Sequence, residues 1–330
     1  MMAPHPNLVI SLVTWNSARD LPACLAAIQA QTFQNFQLVI VDNASTDGTQ
    51  QLATSNWQRA FHSAIAGSQR PEARGVHVIQ NAVNRGYAGA HNQAIRWARE
   101  HGAEFVLVLN PDVVLAPDAI ASMIGAMEQH PRAASIGIPL LRSDGTIDSL
   151  GLAIGWGGRF YERGVGEEYK VAPRQGSGTT NEQVLGISGA CAMYRLAALE
   201  DVAYDTATGR QYFDERFFAY KEDIDLALRF RVRKWEAWLT HRSHAQHGRA
   251  VADASRGVVA LQYRGRAQRS PQRSYLSYRN HLYILKKHWR SIPASSITII
   301  LYELGKVVYA LIREPRLLKA WKEFINFRVS

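Results

Sequence analysis

What most constrains this chain is a rhythm of short apolar runs of strand length, each followed by a segment with helical spacing. Leu8–Val13, Gln37–Val41, Val76–Gln80 and Phe105–Leu109 read as strands. Leu21–Gln31, Ala88–His101 and Pro117–Gln129 read as helices, and a further apolar strand follows around Ser135–Leu141. Near-continuous apolar strands are buried on both faces, which is the signature of βαβ units and a parallel sheet. The predicted fold class is α/β, a mostly parallel sheet flanked by helices. Ligands of such sheets bind beyond the carboxyl ends of the strands. The polar clusters Thr14-Trp15-Asn16, Asp42-Asn43, Asn84–Asn92 and Asn110-Pro111-Asp112 fall at those ends.

The 330 residues are 47% hydrophobic and 20% charged, an ordinary balance for a globular protein with a real core. The two cysteines, Cys24 and Cys191, build neither a disulfide framework nor a zinc cluster, so a reducing cytoplasm is the expected compartment. The first sixteen residues, about one strand with no basic stretch before it, do not read as a signal peptide. Residues 56–75 read as a polar insertion, and 155–180, rich in glycine and charge, as a long mobile loop.

The net charge of +10 is unevenly spread: residues 229–330 hold 21 Lys and Arg against 5 Asp and Glu. Such asymmetry points to an anionic partner, nucleic acid or lipid. Beyond Pro271 the pattern is helical, over Tyr275–Trp289, Ala294–Ile312 and Arg316–Phe327. Ile297–Ile312 is strongly apolar, but at 16 residues, with Glu303 and Lys306 inside it, it is short of a bilayer span. A basic, aromatic-rich helical tail fits the surface of an anionic membrane. The other reading is a helical subdomain packed on the core with its cations solvated, and the two are compatible.

Three constellations carry chemistry. Asp112 follows a buried strand through a proline-stiffened turn, and a carboxylate there can hold a divalent cation whose other positions take phosphate oxygens. The alternative is an Asx-turn that closes the strand. Phe213–Leu226 packs five carboxylates beside aromatics, with a helix starting near Glu222 and running to Arg233. This is either an acidic first helical turn or a carboxylate set against apolar surface, whose raised pKa suits a general base. In His241-Arg242-Ser243-His244-Ala245-Gln246-His247, a strand would place His241 and His247 on one face, where one of them could complete a metal site.

In order along residues 8–250, the motifs VTWN (13–16), VDNASTDGT (41–49), NRGYAGAHN (84–92), LNPD (109–112), GISGACAMYR (186–195), the acidic cluster and a late histidine resemble the family 2 glycosyltransferases. They are most similar to the bacterial rhamnosyltransferase-like branch. The resemblance implies a Rossmann-like fold of GT-A type over residues 1–263, with a nucleotide-binding half at about 1–112 and an acceptor-side half at 113–263. Residues 264–330 would form a C-terminal helical extension. It implies an inverting, metal-dependent hexosyltransferase that gives an α-glycoside from a β-linked donor. Asp42 would bind the pyrimidine, with Thr14, Asn16 and Asn43 lining that pocket; Asn84, Gly86, Asn92 and Asn110 would lie along the donor. Asp112 would bind Mg²⁺ or Mn²⁺, with His247 as the downstream metal-associated histidine. Asp223 would be the catalytic base, and Gly189 and Glu222 would lie on the acceptor side.

Many family members carry Asp where this chain has Asn110, which removes a charge from the metal motif. The branch points to L-rhamnose from dTDP-rhamnose, with UDP-hexoses as the alternative. A saccharide or lipid-linked saccharide would be the acceptor in cell-surface polysaccharide synthesis, at the inner face of the cytoplasmic membrane. A non-catalytic nucleotide- or glycan-binding module would keep Asp42 but would not need Asp112, Asp223 and a late histidine together. Nucleic acid is not expected, because the acidic strand-end cluster repels phosphates unless a metal bridges them. A nucleotidyltransferase would show a Gly-rich basic loop after the first strand, and Thr14–Asp20 contains none.

Overall fold

The computed structural model describes residues 8–55, 75–170, 181–207, 209–248, 270–292 and 294–328. Its first half alternates as the apolar rhythm dictates: β1 (Leu8–Thr14), α1 (Leu21–Gln29), β2 (Phe36–Asp42), α2 (Thr49–Ser55), β3 (Val76–Gln80), α3 (Gly86–Glu100) and β4 (Phe105–Leu109). After β5 (Val113–Leu115) come α4 (Ala119–Gln129), β6 (Ala133–Gly137), β7 (Leu140–Leu141), β8 (Ile147–Ser149), β9 (Leu152–Ile154) and β10 (Phe160–Glu162). The second half continues through β11 (Asn181–Val184), β12 (Cys191–Arg195), α5 (Leu196–Asp201), β13 (Tyr204–Thr206) and β14 (Gly209–Gln211). Then follow α6 (Glu222–Val232), β15 (Glu236–Thr240), β16 (Ala245–His247), and the tail helices α7 (Pro271–His288), α8 (Ser296–Arg313) and α9 (Lys319–Asn326).

Eight strands form the central sheet in the order β11-β15-β6-β12-β4-β1-β2-β3. The β3-β2-β1-β4 half is wholly parallel; β12 runs antiparallel between β4 and β6, and β11 antiparallel at the far edge. Alternation along the strands divides the core. Leu8, Ile10 and Leu12 face a cluster with Leu21, Leu25 and Ile28 of α1 and Ile120 and Met123 of α4. Val9, Val39 and Val41 face the other side, against Ala88, Ala94, Ile95 and Ala98 of α3. Each fully buried aliphatic side chain contributes roughly 1.5–3 kcal/mol, so the sheet is a rigid base for its loops.

Three expectations are corrected. The strand expected at Ser135–Leu141 is two, because Pro139 has no N–H to donate and the chain leaves the main sheet there. β7 joins a second sheet, in the order β5-β16-β7-β8. Residues 155–170 are not a mobile loop: β9 and β10 pair as a hairpin, and Thr146 bridges Glu168. The glycines there serve close packing on α8. A Cβ at Gly157 would lie 2.5 Å from Tyr302 Cβ, and one at Gly158 3.2 Å from Ile299. Finally, His241 and His247 do not share a strand; β15 stops at Thr240 and β16 begins at Ala245 in the second sheet. The expected insertion at 56–74 and residues 171–180 lie outside the described residues.

Candidate active site

The carboxyl ends of β1, β2 and β4 and the start of β12 meet at one edge of the sheet. Thr14 and Asp42 are register partners, and Thr14 Oγ1 donates to Asp42 Oδ1 at 3.2 Å while the Ser45 N–H donates to Oδ2. Asp42 is almost fully buried, so these donors hold its charge in place. Asn16, in a positive-φ turn, accepts the Thr46 N–H at 2.8 Å and donates its own N–H to Ser45 Oγ, which fixes the loop after β2.

Two asparagines are committed in full. The Asn43 amide donates to Asn84 Oδ1 and the Gly86 carbonyl, and its oxygen accepts from Arg85 N–H and Asn81 Nδ2. The buried Asn92 amide donates to the Phe213 carbonyl and Glu215 Oε1, and accepts the Tyr212 and Phe213 N–H groups. Two donors and two acceptor sites are all an amide has, so both side chains brace the loops that surround the edge. Asn84 Oδ1 also accepts the Gly86 N–H. Gly86 has φ +71°, and a Cβ there would lie 2.4 Å from the Phe218 carbonyl oxygen, so the position tolerates glycine alone.

At the end of β4, the Asn110 N–H donates to the Ala190 carbonyl at 2.9 Å, which ties the Asn110–Asp112 turn to the segment entering β12. Pairing of β5 with β16 sets Val113 opposite His247, and the Gly248 N–H donates to the Asp112 carbonyl at 2.8 Å. Sheet register therefore places His247 Nε2 at 3.4 Å from Asp112 Oδ1. On its other side, His247 Nδ1 donates to the buried Asp148 carboxylate at 2.8 Å. Burial opposes charge on this imidazole, but its hydrogen bonds to Asp112 and Asp148 prevail and raise its pKa to about 9. A cavity of about 180 Å³ opens here, lined among others by Arg19, Asp20, Asp112 and His247.

Among the described residues no cluster of three or more His, Cys, Asp or Glu is spaced to hold a metal ion. A two-residue set does fit one. Asp112 offers a carboxylate oxygen, and the Asp148 bond holds the imidazole with Nε2 turned toward it, the carboxylate–histidine arrangement that supports a metal ligand.

The five carboxylates of the 213–226 segment separate into two kinds. Asp214 pairs with Arg216 and Lys287; Asp225 pairs with Arg229, Lys287 and His288; Glu215 meets the Asn92 amide. Glu222 and Asp223 form no ion pair among the described residues. Asp223 Oδ2 accepts the Gly189 N–H at 3.1 Å, and Oδ1 accepts the Ile224 N–H at 2.8 Å. Glu222 is buried, and its Oε2 has no hydrogen-bond partner among the described residues. Burial raises both pKa values, Glu222 the further because the Asp223 charge adds to it. At Asp223 the N–H groups of Gly189 and Ile224 oppose that rise, because they favour the charged carboxylate. Gly189 also accepts from the Tyr87 hydroxyl at 2.6 Å, and a Cβ on it would lie 2.6 Å from that oxygen.

The loop before Asp223 is strained. Phe218 (φ 62°, ψ −64°) centres a γ-turn with Ala219 N–H donating to the Phe217 carbonyl at 2.7 Å, and Tyr220 and Lys221 also have positive φ. Each such residue costs about 1–3 kcal/mol and persists only where its surroundings impose it. Tyr87, Asp148, Asn280 and Lys287 join the site without having been foreseen. Asp148 and Asn280 carried no sequence signal, while the aromatic in NRGYAGAHN marked Tyr87 only as part of a motif.

A mostly parallel sheet with polar strand ends, a carboxylate after β4 and a carboxylate pair at the start of α6 fits a glycosyltransferase of the GT-A fold. The chain belongs to glycosyl transferase family 2, whose family model matches residues 9–203. It is 28% identical to the N-acetylglucosaminyl-diphospho-decaprenol L-rhamnosyltransferase of Mycobacterium tuberculosis over 262 residues, 74% of this chain and 76% of that one. The fold is shared with GalNAc-T7 solved with UDP, GalNAc and Mn²⁺ (TM-score 0.59, 10% identity, 86% of this chain and 48% of that chain). It is also shared with S. aureus TarS 1–349 in complex with UDP-GlcNAc (TM-score 0.53, 17% identity, 97% of this chain and 80% of that chain). At those identities the two solved structures show the fold alone, and this chain spans about half the length of GalNAc-T7.

Proposed function

We propose that this glycosyltransferase moves L-rhamnose from dTDP-rhamnose to a hydroxyl of a lipid-linked saccharide, with inversion, in cell-surface polysaccharide synthesis. The observation that carries the reading is the joining of two groups at one sheet edge. Asp223 is held by Gly189, while Asp112 is tied through Asn110 to Ala190, the next residue. In this reading a base and a cation ligand are both anchored on the Gly189-Ala190 segment.

In this reading Asp42 and Thr14 take the nucleobase, and Asn16, Asn43, Asn84, Gly86 and Asn92 shape the loops along the donor. Asn110 aims the turn. Asp112 and His247 would hold Mg²⁺ or Mn²⁺, which would neutralise the departing diphosphate. Asp223 accepts the acceptor hydroxyl's proton as that oxygen attacks the anomeric carbon from the face opposite the phosphate. Gly189, whose missing side chain makes room for the Tyr87 hydroxyl, and Glu222, whose pKa burial raises, lie on the acceptor side in this reading. The rhamnosyl donor and the lipid-linked acceptor are supported by the name of the mycobacterial relative. A UDP-hexose donor is the second reading, supported by the nucleotides in the titles of the two solved structures. A panel of dTDP- and UDP-sugars, scored for slow hydrolysis with and without EDTA, decides between them. Hydrolysis of dTDP-rhamnose that EDTA abolishes is expected; turnover of UDP-sugars alone would replace the donor, and EDTA-resistant turnover would remove the cation.

The division into a catalytic domain at 1–263 and a tail at 264–330 is retained, with the tail at the inner face of the cytoplasmic membrane. Among the described residues no helix is long and apolar enough to cross a membrane. The surface of α8 supports peripheral contact. Ile297, Ile300, Leu301, Leu304, Val308, Leu311 and Ile312 form one helical stripe, and each is 51–71% exposed. The subdomain's exposed charge is mainly positive. Arg290, Arg313, Arg316, Lys319, Lys322 and Arg328 are exposed, whereas Glu303 binds His281 and Tyr278, Glu314 binds Tyr309 and Arg316, and Glu323 binds Tyr275, Tyr283 and Arg279. An apolar stripe rimmed by cations is the make-up of a helix that lies in an anionic interface.

A further inference from the structure

The tail helix α7 grips the acidic segment at three points, and they bracket the strained loop before Asp223. Ahead of the loop, Lys287 Nζ meets Asp214 Oδ2 at 2.6 Å; beyond it, the same ammonium meets Asp225 Oδ1 at 2.6 Å. His288 Nε2 adds a second contact to Asp225 at 2.8 Å. Over the loop itself, the fully buried Asn280 amide nitrogen lies 2.9, 2.9 and 2.7 Å from the carbonyl oxygens of Phe217, Ala219 and Tyr220, its two N–H donors shared among the three. Arg279 donates its Nε to Asn280 Oδ1, which fixes the amide with its nitrogen toward the loop, and its Nη2 to the carbonyls of Arg216 and Phe217.

The gripped loop touches the donor side as well. The Phe218 carbonyl accepts the Ala88 N–H and closes over Gly86. Non-glycine residues at positive φ do not hold themselves, and around Phe218, Tyr220 and Lys221 the carbonyls of Phe217, Ala219 and Tyr220 meet α7 side chains. We propose that Asn280, supported by Arg279 and Lys287, is a positioning residue for the transfer reaction. It imposes the 217–221 loop geometry that sets Asp223 against the acceptor and Phe218 against the donor segment. The tail is then part of the catalytic machinery even though it supplies no group to the reacting atoms. This rests on the assignment of Asp223 as base.

Displacing a reacting group by about 1 Å can cost on the order of 100-fold in rate without altering binding. The test compares wild type, Asn280→Ala and the milder Arg279→Met for kcat, donor KM, affinity for dTDP and UDP by calorimetry, and melting temperature. Expected is a fall in kcat of about 10–100-fold for Asn280→Ala and about 3–10-fold for Arg279→Met, with KM and nucleotide affinity within about twofold. A melting temperature that falls while kcat per folded molecule stays at the wild-type value overturns the proposal, and wild-type kcat in Arg279→Met does so even if Asn280→Ala fails to fold. Asp223→Asn run alongside separates the two claims. If it keeps wild-type turnover, the base assignment fails; if it is inactive while both α7 variants are normal, positioning alone fails.

Discussion

At the residue scale, the pair Glu222-Asp223 is the point where chemistry and stability oppose each other. Glu222 is buried and lies beside the Asp223 carboxylate, and both of these raise its pKa in the folded state. An acid whose pKa rises on folding holds its proton more tightly folded than unfolded. Stability therefore falls as pH rises from the unfolded value near ~4.3 up to the folded one. Glu222→Gln removes that loss, so the melting temperature of the variant should exceed wild type at pH 8 and approach it at pH 5. A variant less stable than wild type at both pH values would show that the carboxyl contributes packing instead. Asp225 has the opposite sign. Burial opposes its charge, but Arg229, Lys287 and His288 prevail and hold its pKa far below the usual range, so its contribution is kept above the ordinary carboxylate pKa and lost only in strong acid. The sequence presented these carboxylates as one acidic cluster, because nothing local tells which of them a lysine 62 residues downstream will neutralise.

At the element scale, the βαβ half is legible because a short continuous apolar run and a helix of period 3.6 leave different apolar spacings, and β1 to β4 fall where those spacings put them. Asp42 and Asp112 followed, since a polar residue directly after a buried strand has no other place than its carboxyl end. The second sheet was not legible. Its strands are two or three residues long, too short to show a period, and the break at Pro139 that creates it was read as continuous. For that reason His247 was selected by motif order, while the register that sets it against Asp112 emerged only from β5–β16 pairing. The α7–α6 contact carries its own prediction. Lys287→Met leaves Asp225 and Asp214 short of a buried cation, and breaking such a pair costs about 3–5 kcal/mol. Denaturant titration should show that loss, whereas a change below about 0.5 kcal/mol would class the pair with surface salt bridges.

At the scale of the whole molecule, the uneven charge acquires a structural meaning. Some of the tail's cations are spent inward, with Lys287 and Arg279 on the acidic segment, and others remain outward around the α8 stripe. The inward faces of these helices pack on the core, and the proposed membrane contact would use their outward faces. An apolar groove of about 340 Å³ between α7, α8 and α9, lined in part by Trp289, Leu304, Trp321 and Phe324, continues the stripe. Wild-type protein should co-sediment with vesicles rich in phosphatidylglycerol and be released by salt, while Leu301→Glu/Leu304→Glu should lose binding by about tenfold or more at an unchanged melting temperature. Failure of the wild type to bind at low salt would leave the stripe to another partner, and a concentration-dependent dimer lost in the variant would identify that partner as a second copy.

Whether this sheet edge performs glycosyl transfer through Asp223 is decided by Asp223→Asn. The substitution keeps shape and burial while removing the proton acceptor, whose contribution is about 10²–10⁴-fold. Nucleoside diphosphate release is expected to fall by that factor while calorimetric affinity for the nucleotide stays within about twofold of wild type; release near the wild-type rate would contradict the assignment of Asp223 as base.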